Sequence, residues 1–160
     1  MQKVELYSDG SSRGNPGPGG YGTVLKTVLQ DGSPYEKEFS AGYKETTNNR
    51  MELMGVIAGL EELKFPCDVT ITSDSKYVVD AFNEHWVDDW VMHNFRRGTR
   101  KPVANTDLWE RLLEAAKPHH LTFVWIKGHA GHPENERCDK LATSAADSDN
   151  LLIDEGYQPE

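Results

Sequence analysis

The order of its periodicities constrains this chain most: three strand-like segments come first, and helix and strand then alternate. Lys3–Asp9 sets Val4 and Leu6 against Glu5 and Tyr7, the period-two pattern of a half-buried strand. Tyr21–Leu29 and Tyr35–Tyr43 flank Asp31-Gly32-Ser33-Pro34, a hairpin signal. Thr46-Thr47-Asn48-Asn49 offers capping residues for a helix reaching Leu63. Val69–Ser73 reads as a β-branched strand, Ser75–Asn83 and Thr106–Lys117 as helices, and Leu121–Ile126 as a strand. Pro133 opens a last helix to Ala146, proline suiting the first helical position. The glycine- and proline-rich Asp9–Gly20 reads as a turn, and His85–Lys101 as irregular. This order predicts an α/β sheet with an antiparallel flank. Residues 1–146 are expected to form one domain, and 147–160 a loosely held acidic tail.

A chain of 160 residues with 37% hydrophobic content fits a single domain with a real core. No apolar run approaches the ~20 residues of a membrane span, and Met1–Tyr7 does not read as an export signal. Cys67 and Cys138 both fall in core-like segments, which suits a reduced, cytoplasmic protein. The formal net charge of -9 argues, taken alone, against a nucleic-acid partner. Bound divalent cations would offset acidity locally, so the clustering of the acids matters more than their sum.

Asp9 ends the first strand and Asp74 the strand before the second helix. If those strands are parallel neighbours, both acids emerge at the carboxyl edge where open α/β sheets place ligands. Alternatively Asp74 is a helix N-cap and Asp9 a turn residue. Glu52 shares its helical face with Asn48, Gly55, Val56 and Gly59, and so points along a packing face. A carboxylate there needs a partner such as a metal ion, unless it serves as a capping-box glutamate after Asn49. Asp139 borders the core stripe Cys138, Leu141, Ala142 and Ala145, and alone reads as a surface acid. Converging carboxylates suit magnesium, with manganese as substitute, and two such ions about 3.5–4 Å apart support phosphodiester hydrolysis.

Other patterns compete less well. Gly17–Gly22 matches G-x-G-x-x-G but precedes a strand, so its glycines suit a tight turn and close backbone approach instead of a dinucleotide. His129, His132 and Cys138 fit no common structural zinc spacing. Ser11 and Ser12 lack a G-x-S-x-G elbow.

Tyr7–Ser11, Gly14–Gly22, Thr46–Leu53, Ser73–Val78 and Trp125–Asp139 together resemble bacterial ribonuclease HI, and the likeness runs to Tyr157. The resemblance implies a ribonuclease H-like fold: a five-stranded mixed sheet, three strands antiparallel, with helices on both faces. It implies cleavage of the RNA strand of RNA–DNA hybrids, leaving 5′-phosphate and 3′-hydroxyl ends, by a monomer. Asp9, Glu52, Asp74 and Asp139 fall on the family's metal-ligand positions, and His129 on its mobile-loop histidine, flanked by Gly128 and Gly131. Asn15, Asn48 and Asn49 match positions that grip the RNA strand, whose 2′-hydroxyl is both donor and acceptor. Thr47 and Asn105 match a DNA-phosphate pocket, and Trp86 and Trp90 aromatic positions near the DNA channel. Arg96, Arg97, Arg100 and Lys101 sit in the basic handle. That handle also carries Glu84, Asp88 and Asp89, and Glu45 lies near the phosphate pocket, which implies weaker hybrid binding than in basic relatives. The alternatives are a DNA-acting nuclease domain of the same superfamily, a hybrid-binding module without catalysis, and a cation-binding structural protein.

Overall fold

The computed structural model describes residues 1–97 and 101–159, and for 96, 97, 101 and 102 the backbone alone. The elements in chain order are β1 (Gln2–Ser12), β2 (Gly17–Val28), β3 (Pro34–Thr46), α1 (Asn48–Glu62), β4 (Cys67–Ser73) and α2 (Lys76–Asn83). There follow α3 (Trp86–Met92), β5 (Arg96–Arg97), β6 (Lys101–Pro102), α4 (Thr106–Ala116), β7 (His120–Trp125) and α5 (Pro133–Ala146). Five strands form one mixed sheet in the order β3-β2-β1-β4-β7. β2 pairs antiparallel with β1 and β3, whereas β4 runs parallel to β1 and β7. This is the α/β sheet with an antiparallel flank that the order of elements predicts.

Alternation along the strands decides which helix each face receives. Leu6, Ser8 and Thr23 face α1: a methyl group at Gly59 would meet the Leu6 side chain, and Thr23 Oγ1 donates to the Gly55 carbonyl at 2.6 Å. Gly20 and Gly22 face α5 on the other side. A methyl group at Gly22 would overlap the Cys138 carbonyl oxygen, and one at Gly20 would lie 2.5 Å from that of Ala142. The resulting two-faced covering seals a core of Val4, Leu6, Val69 and Ile71 against Met51, Val56 and Ile57. α4 covers the far side of α1 and brings in Trp109, whose indole N–H donates to the Tyr77 hydroxyl at 3.1 Å. Among the described residues no helix is long and apolar enough to cross a membrane.

Three expectations are corrected. The segment Asp9–Gly20 is not one turn: β1 continues to Ser12, β2 starts at Gly17, and Ser11 pairs with Gly20. Of its glycines, Gly10 makes room for α1 and Gly20 for α5, whereas Gly14 lies in the bend between the strands with φ 94°. His85–Lys101 is not irregular either, since it contains α3 and the antiparallel pair β5–β6. α3 is hard to see locally because His85, its N-cap, is left-handed and provides no side-chain cap.

The third correction concerns the acidic tail, which is tied down. Leu152 forms a parallel bridge with Tyr43, and its N–H donates to the Gly42 carbonyl at 2.8 Å. Asp154 accepts two hydrogen bonds from Arg50, at 2.7 and 2.9 Å, and one from Thr46 at 2.7 Å. The Arg50 side chain is 2% exposed and that of Asp154 8%. Burial pulls the guanidinium pKa down, but the bonds to Asp107 and Asp154 outweigh it and hold Arg50 charged. Removing one member of such a buried pair costs about 3–5 kcal/mol.

The close fit of α5 on β2 yields a direct test. Gly22→Ala is expected to cost about 2–3 kcal/mol by overpacking and to lower Tm by about 5–10 °C in thermal denaturation. A Tm within about 1 °C of the unaltered chain would mean that α5 does not sit so close to the sheet.

Candidate active site

The parallel pairing of β1 and β4 sets the site. Tyr7 lies opposite Thr72, and Asp9 and Asp74 each follow by two residues, so both acids leave the sheet at the same carboxyl edge. Neither is a cap. Ser75 caps α2, its hydroxyl accepting from the Val78 N–H at 3.3 Å, which leaves the Asp74 carboxylate free. Likewise α1 is capped by Thr47, so a capping-box partner would fall at Arg50 and not at Glu52.

Glu52 reaches the same edge because α1 crosses β1 with almost no clearance. A methyl group at Gly10 would overlap the Glu52 backbone nitrogen, and one at Gly55 would lie 3.1 Å from Ser8 Cβ. Asp9, Glu52 and Asp74 thereby each offer a carboxylate oxygen within 4.8 Å of the others. Asp139, on α5, stands outside this trio, although its charge is felt at Asp9. Among the described residues this is the one cluster of three or more metal-binding side chains, so the histidine–cysteine zinc alternative finds no site.

The trio strains against itself. Burial first, and then the charges of Asp74 and Asp139, push the Asp9 carboxyl up to about 8. Burial, followed by Asp9 and Asp74, holds Glu52 well above the usual carboxylate range. Glu52 Oε2 is buried and has no hydrogen-bond partner. A buried carboxylate oxygen without a partner is costly unless a cation completes it. Oxygens on one octahedral ion with bonds of about 2.1 Å lie about 3–4 Å apart, which falls inside the 4.8 Å that bounds the three carboxylate oxygens here. Hard oxygen donors, mutual proximity and an orphaned oxygen all fit a small divalent cation.

The loop after β7 closes over Asp74. Trp125 Nε1 donates to the Asp74 carbonyl at 3.0 Å, and a methyl group at Gly128 would lie 2.7 Å from Asp74 Oδ2. His129 follows, exposed and left-handed with φ 56°. The neighbouring His132 instead caps α5, its Nδ1 accepting from the Asn135 N–H at 3.3 Å.

Beside the acids, Asn15 and Asn48 meet. The Asn48 N–H donates to Asn15 Oδ1 at 3.1 Å, and Ser12 N–H donates to Asn48 Oδ1 at 2.7 Å. A groove continues from there, lined by Asn15, Thr47, Asn49 and Asn105. Asn105 is left-handed, accepts from Arg50 Nη1 at 3.3 Å and donates to the Tyr77 hydroxyl at 3.0 Å. Trp86 is exposed, whereas Trp90 sets its ring against Trp109 at 5.1 Å and helps anchor α3. Arg96, Arg97 and Lys101 are placed by backbone pairing alone, and Arg100 lies outside the described residues. Sequence reasoning passed over Arg50, although an arginine among Met51, Leu53, Met54 and Ile57 on a buried helix signals an obligatory carboxylate partner.

The family described as RNase H matches residues 1–147. The chain is 60% identical to a Ribonuclease H of Lachnoclostridium phytofermentans over 153 residues, covering 95% of this chain and 97% of that protein. It is 50% identical to a Ribonuclease H of Yersinia pestis over 159 residues, covering 99% of both. Among solved structures, LC9-RNase H1 is 32% identical with a TM-score of 0.82, covering 91% of this chain and 72% of that one. LC11-RNase H1, solved with an RNA/DNA hybrid, is 25% identical with a TM-score of 0.65, covering 90% and 96%.

The acid trio makes a prediction that needs no substrate. A carboxyl whose pKa is raised by folding keeps a proton in the folded chain that the unfolded chain has lost. Metal-free protein is therefore expected to lose stability as pH rises from about 4, the unfolded value, toward about 8. Asp9→Asn removes one of the repelling charges and should raise the metal-free Tm near pH 8 by about 3–6 °C. Thermal denaturation in chelator measures this, and a lowered Tm for the variant would contradict mutual repulsion.

Proposed function

The chain belongs to the ribonuclease H family, and on that premise we propose that Asp9, Glu52 and Asp74, with Asp139 at their margin, hold magnesium for hydrolysis of the RNA strand of RNA–DNA hybrids. The convergence of three carboxylates on one sheet edge, one of them with a buried unpartnered oxygen, is the observation that carries this reading. Manganese is expected to substitute, since both are hard cations that take oxygen ligands. Residues 1–146 are taken as the catalytic domain and 147–160 as an acidic tail. The working form is read as a monomer, because one chain provides every member of the trio, and as cytoplasmic, because Cys67 and Cys138 are free and buried.

Bound divalent ions would activate water, stabilise the leaving oxygen and neutralise the scissile phosphate. The chain's own part is to hold four acids at fixed places before substrate arrives, Asp9 from within β1, Asp74 from just after β4, and Glu52 and Asp139 from helices. As water adds to phosphorus and the bond to the 3′-oxygen breaks, one proton leaves the water and one reaches that oxygen. His129, exposed on the loop over Asp74, is placed to carry a proton to or from the reacting oxygens. Asn15 and Asn48 have their amide oxygens engaged already, so their NH₂ ends are left to donate to a 2′-hydroxyl. Thr47, Asn49 and Asn105 line the adjoining groove, and Trp86 with the Arg96–Lys101 cluster is assigned to the flanking DNA strand.

A labelled hybrid incubated with and without magnesium tests the assignment, beside double-stranded RNA and DNA controls. The hybrid is expected to be cut in its RNA strand in a magnesium-dependent manner. Asp9→Asn, Glu52→Gln and Asp74→Asn should each lower kcat by about a thousandfold, or ~4 kcal/mol of barrier. Asp139→Asn, outside the trio, should cost about ten- to a hundredfold. Equal cleavage of duplex DNA, or near-normal rates for the trio variants, would overturn the reading.

A further inference from the structure

The groove beside the acids has a wall with no part in the chemistry of the four carboxylates. Opposite Asn15, Thr47, Asn49 and Asn105, it is lined by Tyr157 and Gln158 of the C-terminal segment. That segment is held by charge burial. Arg50 grips Asp154 at 2.7 Å through Nε and Asp107 at 2.7 Å through Nη2, and the same guanidinium reaches Asn105 Oδ1 at 3.3 Å. Gly156 passes directly over this network: a methyl group there would overlap Asp107 Oδ2 and lie 2.9 Å from Arg50 Nη2. Tyr157 then turns back, its N–H donating to the Asp154 carbonyl at 3.1 Å. One buried arginine therefore sets both Asn105 and the turn that presents Tyr157.

We propose that Tyr157 and Gln158 form a substrate-contacting wall for the sugar–phosphate backbone of the hybrid, with Arg50 as the positioning residue that fixes this wall against Asn105. The proposal rests on the hybrid being the substrate. Reach supports it. The near end of the groove, Asn15, joins β1 at Ser12 through Asn48, and Ser12 is three residue steps along the strand from Asp9. That is about 10 Å of extended chain, or about three base-pair rises of a duplex lying on the acids. Chemistry supports it too. The tail cannot act as a loose lid, because lifting it would strip Arg50 of Asp154. The facing side chains are neutral hydroxyls, amides and a phenol, except for Asp107, a half-exposed carboxylate paired with Arg50, whose charge is engaged by that acid and by Asp154. Contacts of this kind add affinity without releasing counterions, so their contribution should not change with salt.

The test is Tyr157→Ala in the full chain, read by kcat and KM for a hybrid and, in the uncleaving Asp9→Asn background, by hybrid Kd. KM and Kd are expected to rise about fivefold, with kcat within about twofold and Tm unchanged. The factor should be the same at about 50 and about 200 mM salt. Tyr157→Phe keeps the ring but loses the phenol hydroxyl, and should recover only part of the affinity, with KM about two- to threefold above the unaltered chain. Asp154→Asn should lower Tm and raise KM together, as expected for loss of the positioning contact. Wild-type KM and Kd in Tyr157→Ala at wild-type Tm would overturn the proposal, as would a lowered KM, which would make the tail an obstruction. Failure of the unaltered chain to cut the hybrid would count against the catalytic assignment alone, since Kd reports the wall independently of cleavage.

Discussion

The passage of α1 across β1 is the contact on which the site depends. A helix normally stands well off a sheet because side chains fill the space between them. Here Gly10 on the strand and Gly55 and Gly59 on the helix remove that filling, and the Glu52 backbone settles over Gly10. The closeness carries the Glu52 carboxylate to the edge where Asp9 and Asp74 already emerge. Glycines inside a helix and a strand are locally unfavourable, by about 1 kcal/mol each in a helix interior. Their presence is explained by the burial of α1, whose Leu53, Val56 and Ile57 are fully buried, and by the placement of one carboxylate.

The opposite face repeats the device with α5, which rests on Gly20, Gly22 and Gly42. Asp139 and the helix cap His132 are carried on that helix, directly after the loop that bears His129. The sheet edge is thus bracketed by two closely seated helices and covered by one loop. Lys26 and Arg137 reinforce the bracket, bridging β2 and β3 to the start of α5 through Glu36, Glu38 and Glu134. These pairs are partly exposed and contribute little stability individually. Their geometry instead fixes where α5 begins.

Much of this was legible locally. The acids Asp9 and Asp74 on β1 and after β4, the glycine face beneath Glu52 and the proline start of α5 are all features of a few consecutive residues, although β1 runs past Asp9 to Ser12. The order of elements was enough for the sheet with its antiparallel flank. What escaped had its cause far away in sequence. Gly17–Gly22 looks like a turn because nothing local shows that α5 will lie on it. The tail looks loose because Asp154 meets Arg50 across 104 positions. α3 has no side-chain cap to announce it. The bland alternatives for Asp74 and Glu52 were also undecidable locally, since a serine or threonine one or several residues away proves to hold each cap.

At the centre stands a preassembled, self-repelling carboxylate site that a divalent cation relieves. Raised pKa values at Asp9 and Glu52 mean that protons occupy the site when metal does not. Metal ligation requires the ionised forms, so binding must expel those protons. Calorimetric titration of the protein with magnesium at pH 7, in buffers of different ionisation enthalpy, counts them. Release of about one to two protons per protein is expected on saturation, falling by about one in Asp9→Asn, where burial still holds Glu52 raised. Magnesium binding with no proton released by the unaltered chain would contradict a self-repelling site.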